Sequence, residues 1–164
     1  MDKPFSIRGA EATDRAAWQP LWEAYLEFYE SVLPSESTER LWTRILDADH
    51  PFRCNVAVDG DDATHLVGMV QYFPHDHTWE ESKVCYLQDL YVQSGVRARG
   101  VGKALIQSVE DAAAEAGWKF VYWQTKHDNA RARGLYDKLT GGTNDFIVYR
   151  LGKGTATPLS GPSA

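Results

Sequence analysis

The run Gly95-Val-Arg-Ala-Arg-Gly-Val-Gly102, followed by Lys103, mixes cations with glycines at the junction of two elements. The apolar stretch Tyr86-Leu-Gln-Asp-Leu-Tyr-Val92 precedes it, and the helix-forming stretch Lys103-Ala-Leu-Ile-Gln-Ser-Val-Glu follows. A strand passing through a short basic turn into a helix aims backbone N–H groups and positive charge at one spot, which suits a pyrophosphate. Glycine at 100 and 102 lets the backbone approach a ligand closely and take conformations that a Cβ disfavours.

Two familiar phosphate loops fail on particular residues. A nucleotide-triphosphate loop needs Lys directly after its second glycine, but Val101 follows Gly100. A dinucleotide fingerprint starting at Gly100 needs a third glycine at 105, where the chain has Leu105. A second polar point stands inside the preceding strand. Gln88 and Asp89 interrupt an apolar run, and a carboxylate in such surroundings needs a partner.

The elements that must position these groups follow from patterning. A short strand is expected at Phe5–Arg8, then a helix capped near Thr13 or Asp14, with Trp18, Leu21, Trp22, Tyr25, Leu26 and Tyr29 on its apolar face. A second helix runs from Ser37 toward Pro51. Residues 55–58 and 66–73 read as a hairpin around Asp59-Gly-Asp-Asp62. Lys83 to Gln93 is the long central strand, and Val101 to Ala116 is a helix closed by Gly117. Phe120 to Thr125 is another strand, Asn129 to Leu139 another helix, and Phe146 to Leu151 a last strand. The order β-α-α-β-β-β-α-β-α-β implies an α/β fold with a mixed sheet and helices on its faces. One domain is expected over residues 1–151, and the Gly-, Pro-, Ser- and Thr-rich stretch 152–164 reads as a disordered tail.

The turn also fits the Arg/Gln-x-x-Gly-x-Gly/Ala pattern through Arg97, Gly100 and Gly102. Together with Tyr86–Val92 and the helix Asn129-Ala-Arg-Ala-Arg-Gly-Leu-Tyr136, it resembles the GNAT superfamily of N-acetyltransferases. The segments Cys85–Tyr91 and Val121–Thr125 resemble most its diamine, polyamine and fungal histone or D-amino-acid branch. The resemblance implies the GNAT-like acyl-CoA N-acyltransferase fold and acetyl-CoA as co-substrate. In that fold two parallel strands, here 84–92 and 119–125, splay apart to admit the cofactor.

By position, the resemblance gives Leu90, Tyr91 and Val92 to the pantetheine arm and Arg97, Ala98, Arg99, Gly100, Val101, Gly102 and Lys103 to the pyrophosphate. Asn129 also falls near the pantetheine arm. Tyr136 matches the tyrosine that protonates the leaving thiolate. The polyamine branch usually carries Glu at the position of Gln88, and glutamine cannot accept an ammonium proton. Asp89 therefore stands as base or counter-ion, with a water chain to solvent or a structural role as alternatives. Gln88, Tyr29, Tyr122, Trp123 and Gln124 are the candidate acceptor-site residues. His75, His77 and Trp79 also lie where such enzymes shape that site.

The implied reaction is direct acetyl transfer to a primary amine in a ternary complex, the acceptor being a small amine, polyamine, amino acid or basic protein tail. The alternative is a catalytically weak acyl-CoA sensor. Cys85 would allow a covalent route, although a small buried residue accounts for it better. A homodimer is implied by the family.

Composition narrows the rest. Hydrophobic residues make up 43% and charged residues 24% of 164, ordinary for a globular chain. A net charge of −6 argues against broad nucleic-acid binding. No apolar run spans a bilayer and no leader is evident, so a cytoplasmic protein without a membrane partner is expected. Cys54 and Cys85 lack metal spacing, and His75-Asp-His77 lacks a third ligand, so no metal is expected. Glu23, Glu27 and Glu30, near helical spacing, read as a solvated helix face, with attraction of a cationic amine toward the cleft as the alternative.

Overall fold

The computed structural model describes residues 5–60 and 62–151. The chain divides after Trp123 into two compact units. The first holds β1 (Phe5–Gly9), α1 (Arg15–Phe28), α2 (Ser35–Leu46), β2 (Arg53–Asp59), β3 (Leu66–His75), β4 (Val84–Val92), α3 (Val101–Ala116) and β5 (Val121–Tyr122). The second holds α4 (Ala130–Thr140).

The sheet runs in sequence order β1-β2-β3-β4-β5. The first three ladders are antiparallel, and β4 pairs with β5 in parallel. This is the expected mixed sheet. The crossover between parallel strands is α3, as such a connection requires.

One sheet face carries α1 and α2 over a core of Trp18, Trp22 and Trp42 packed on Cys54, Val56, Val58, Leu66 and Met69. The indoles of Trp18 and Trp22 stack at 5.8 Å, and Trp42 leans on Trp18 at 4.9 Å. The other face carries α3 through Val101, Leu105 and Val109, all fully buried. Gly68 makes that approach possible. A Cβ there would meet the Tyr91 carbonyl oxygen at 3.0 Å and Leu105 Cδ1 at 3.1 Å.

The structure departs from the patterning in four places. Asp14 does not cap α1 through its side chain; its carboxylate is buried and bonded to Arg8 at 2.6 and 2.8 Å. The second helix starts at Ser35, two residues before the expected Ser37 and directly after Pro34. The strand expected over 120–125 is reduced to Val121–Tyr122 because its ladder with β4 ends there. No strand forms over 146–151; that segment has β-forming residues but no ladder partner among the described residues. The tail 152–164 lies outside the described residues.

Candidate active site

β4 brings together the chemistry read from its sequence. Its ladder to β3 pairs Gln71 with Asp89 and Tyr72 with Leu87, so the register shifts and Gln88 is an extra residue on β4. Such a bulge disturbs the alternation of side chains. Tyr86 pairs with Phe73, Asp89 with Gln71 and Tyr91 with Met69, and Met69 and Tyr91 belong to the α1/α2 core. Tyr86 and Asp89 therefore share one face although they are three positions apart. Gln88 itself is exposed.

Asp89 lies under α1. The Tyr25 hydroxyl donates to Oδ1 at 2.6 Å, and Gln71 Nε2 donates to Oδ2 at 3.1 Å. Burial pushes its carboxyl up to about 6, against the opposing effect of the Tyr25 hydrogen bond. A carboxylate with that value is ionised at neutral pH yet far more basic than an exposed aspartate. The same environment raises its neighbours. Burial and then the Asp89 charge push the Tyr25 and Tyr29 hydroxyls upward, and the buried Cys54 thiol on β2 rises for the same two reasons. Gln71 is 4% exposed, and its Oε1 has no hydrogen-bond partner.

Tyr25 and Gln71 escape a reading of the sequence alone. Helical periodicity assigns Tyr25 to the apolar stripe, and Gln71 sits in a run that reads as buried strand. Its signal is its type, since an amide amid Val70 and Tyr72 must find a partner.

The opposite edge of β4 changes character along its length. Cys85 and Tyr86 pair with Val121 and Tyr122, and Cys85 N–H donates to the Phe120 carbonyl at 2.9 Å. From Leu87 to Val92 no ladder occupies that edge among the described residues. Leu90, Tyr91 and Val92 lie on this stretch.

Past Val92 the chain makes a 3-10 turn over Ser94–Arg99 and enters α3 through Gly100, whose φ of 82° places it in the left-handed region. The first turn of α3 presents the N–H groups of Val101, Gly102 and Lys103 ahead of its own ladder. The cations around them have different tasks. Arg97 Nε donates to the Val92 carbonyl at 2.8 Å, and its guanidinium lies 5.9 Å from the Tyr91 ring centroid. Arg99 pairs with Asp59 of β2 at 2.8 Å, both side chains largely buried. Its charge is thus committed to the sheet, leaving its backbone for the turn.

An aromatic wall continues along the sheet from Asp89. Phe73, Tyr86 and Tyr122 stand abreast on β3, β4 and β5, with centroids 5.7 and 5.0 Å apart. Phe52 flanks Phe73 at 5.2 Å, and the Tyr122 hydroxyl bonds His75 Nε2 at 2.8 Å. His77 packs edge-on to Trp79 and Phe120. Tyr29, at the end of α1, leans on Tyr25 at 4.9 Å. Trp123 is half-buried at the end of this unit.

Gln124, Asn129 and Tyr136 belong to the second unit. There the Asn129 side chain caps α4, accepting from Ala132 N–H at 3.3 Å and donating to Thr125 Oγ1 at 3.3 Å. Tyr136 is half-buried two turns into the helix, and Arg133 donates to the His127 carbonyl at 2.7 Å. Among the described residues, no three His, Cys, Asp or Glu side chains gather to hold a metal, and no helix is long and apolar enough to cross a membrane.

The model of the Acetyltransferase (GNAT) family matches residues 18–141. The D-amino-acid N-acetyltransferase HPA3 of Saccharomyces cerevisiae is 34% identical over 146 residues, covering 89% of this chain and 90% of the yeast protein. The L-ornithine N5-acetyltransferase NATA1 of Arabidopsis thaliana is 25% identical, over 90% of this chain and 58% of its own length. Among solved structures, an aminoglycoside N-acetyltransferase AAC(6')-Iy in complex with CoA superimposes with a TM-score of 0.78 at 20% identity, covering 93% of this chain and 97% of that one. A strand–turn–helix of this geometry, a family match across most of the chain and a relative alike nearly end to end agree: the chain belongs to the acetyltransferase (GNAT) family and is an acetyltransferase that acts on an amine.

Proposed function

We propose that residues 1–151 form one catalytic domain that acetylates a primary amine directly in a ternary complex with acetyl-CoA, with Asp89 receiving the amine's proton. The observation that carries this reading is the Asp89 carboxylate, half-buried, held at both oxygens and raised to about 6. The family match spans the division after Trp123, which supports a single domain.

An alkylammonium of pKa about 10.4 cannot attack an acyl carbon until it loses a proton. Transfer to a carboxylate of ordinary pKa, about 3.9, runs uphill by roughly 9 kcal/mol at 1.36 kcal/mol per unit. Raising Asp89 to about 6 removes about 3 kcal/mol of that climb. The remainder falls as the ammonium itself is desolvated against the half-buried Tyr25, Tyr29 and Tyr86 rings, because burial disfavours its charged form.

The residues present fit acetyl-CoA. The ladder-free edge of β4 at Leu90, Tyr91 and Val92 offers backbone groups that need partners, as a pantetheine amide chain also does. Backbone N–H groups from Arg97 to Lys103, with Ala98 among them, would hold the pyrophosphate, and Lys103 adds charge. When bound, acetyl-CoA supplies a thioester acyl group. A β4 amide near Leu90 is the donor for negative charge developing on the acyl oxygen. Tyr136 holds the proton for the departing sulfur at its hydroxyl, and Asn129 orders the start of the helix that carries it. Gln88, Tyr29, Tyr122, Trp123 and Gln124 line the acceptor side. The yeast and plant relatives are named for a D-amino acid and for L-ornithine. Both carry a primary amine, which is the feature assigned to the acceptor here.

The test is a pooled amine panel with acetyl-CoA, followed by mass spectrometry of products and free CoA. Asp89→Asn and Tyr136→Phe are expected to lower turnover at least about a hundredfold with CoA binding retained. Binding of acetyl-CoA without any acetylated amine would leave an acyl-CoA sensor as the better account.

A further inference from the structure

We propose that the wall formed by Phe52, Phe73, Tyr86 and Tyr122 is the acceptor subsite that selects the substrate, and that it takes an amine with a single positive charge and an aromatic or bulky apolar arm. This rests on the reading of Asp89 as the group that receives the amine.

The first support is the contrast in cover. The rings beneath α1 and α2 are closed off, with Trp18 at 0%, Trp22 at 6% and Trp42 at 7% exposure. Phe52, Phe73 and Tyr86 are only half-buried, and Tyr122 is 37% exposed. These four rings nevertheless touch in series, with centroids 5.2, 5.7 and 5.0 Å apart. A continuous apolar face left partly open is ordinarily a binding face.

The second support is its position. Phe73 lies two residues beyond Gln71 on the same side of β3, and Gln71 bonds Asp89. Two strand residues span about 6.6–6.8 Å. An amine nitrogen at Asp89 therefore reaches the wall through a short tether of about two to three carbon atoms. Tyr86 bridges the two places: burial first, then the Tyr122 and Asp89 charges, push its hydroxyl upward, while its ring meets both Phe73 and Tyr122.

The third support is charge. One carboxylate sits at one end, and the wall beyond it is built of Phe and Tyr rings, the Tyr122 hydroxyl being bonded to His75 Nε2 at 2.8 Å. An aromatic arm gains from edge-to-face contact with such rings. A second ammonium laid on this wall would meet ring faces but no carboxylate of the wall, and those faces return less than it loses on leaving water. The pattern fits a monocationic aryl- or alkyl-armed amine better than a polyamine.

The experiment compares kcat/KM for phenethylamine, n-propylamine and putrescine, with calorimetric binding of each amine to the acetyl-CoA-free chain. Phenethylamine is expected to exceed both others by at least about tenfold. Tyr122→Ala, at an exposed position, and Phe73→Leu, which keeps most of the volume, should each reduce the phenethylamine-to-propylamine ratio several-fold in turnover and in binding. Putrescine equal to or above phenethylamine overturns the proposal, as does a ratio that neither variant moves. In those cases acetylation still stands. If none of these three is acetylated although the pooled panel yields a product, the subsite assignment fails and acetylation stands; if no amine of the panel is acetylated, the Asp89 reading fails and the subsite falls with it.

Discussion

Replacing Tyr25 by Phe isolates one hydrogen bond at the reacting carboxylate. The change removes the hydroxyl that donates to Asp89 Oδ1 at 2.6 Å but keeps the ring that stacks on Trp22 at 5.4 Å and meets Tyr29 at 4.9 Å. A hydrogen bond to a charged acceptor contributes about 1.5–3 kcal/mol. At 1.36 kcal/mol per unit, its loss raises the Asp89 pKa by about 1–2 units, because the bond favours the ionised form. The acidic limb of kcat/KM, expected near 6 in the parent chain, should move to about 7–8 in Tyr25→Phe. The high-pH plateau should hold or rise, because a more basic carboxylate makes the proton transfer less uphill. Thiol release can be followed continuously across pH 5 to 10, with thermal unfolding as a control for folding. The groups facing Asp89 are Tyr25 and Tyr29 from α1, Cys54 from β2, Tyr86 on its own strand and the Gln71 amide from β3. The titratable ones among them are driven upward by burial, leaving Asp89 to set the limb. A limb that stays at 6, or moves down, would refute the assignment.

Two further outcomes follow from packing and linkage. Asp89 is raised on folding, so its protonated form stabilises the fold; that contribution is complete below about pH 4 and is lost as pH rises through about 6. Asp89→Asn should therefore be more stable than the parent at pH 8 by up to about 3 kcal/mol, the gap closing near pH 4. The partnerless Gln71 Oε1 can accept from the new amide once the Gln71 side chain turns over. Urea unfolding at the two pH values measures this, and a variant weaker than the parent at pH 8 would contradict it. Gly68→Ala drives a Cβ against the Tyr91 carbonyl and Leu105. Overpacking of this kind costs about 1–3 kcal/mol, equivalent to a fall in Tm of roughly 2–4 °C per kcal/mol. An unchanged melting curve would show that α3 has room the distances deny.

Much of the fold was legible because local signals and tertiary demands agree. Val101–Ala116 forms over the residues that periodicity and Gly117 indicate, and the hairpin and central strand lie within a few residues of their patterned limits. Asp89 could be recognised as a carboxylate in need of partners, but the partners could not be named. Tyr25 is 64 positions away and Gln71 18 positions away. No local pattern reports such contacts. The bulge was equally silent, since strict alternation groups Tyr86 with Gln88 and turns Asp89 to the other face. The register with β3 reverses that assignment. Arg99 illustrates the same limit, because a basic residue in a basic turn reads as a ligand for anions until Asp59 of β2 is found beside it.

The ring column along α1 has an optical consequence. Trp18, Trp22 and Tyr25 stack in sequence with interplanar angles of 12° and 13°, and the last ring's hydroxyl holds Asp89. Chromophores so aligned couple their transitions, and the terminal one is bonded to the group that gains or loses the proton. The near-ultraviolet circular dichroism of the resting protein thus contains a record of the charge on Asp89, readable in the absence of any substrate.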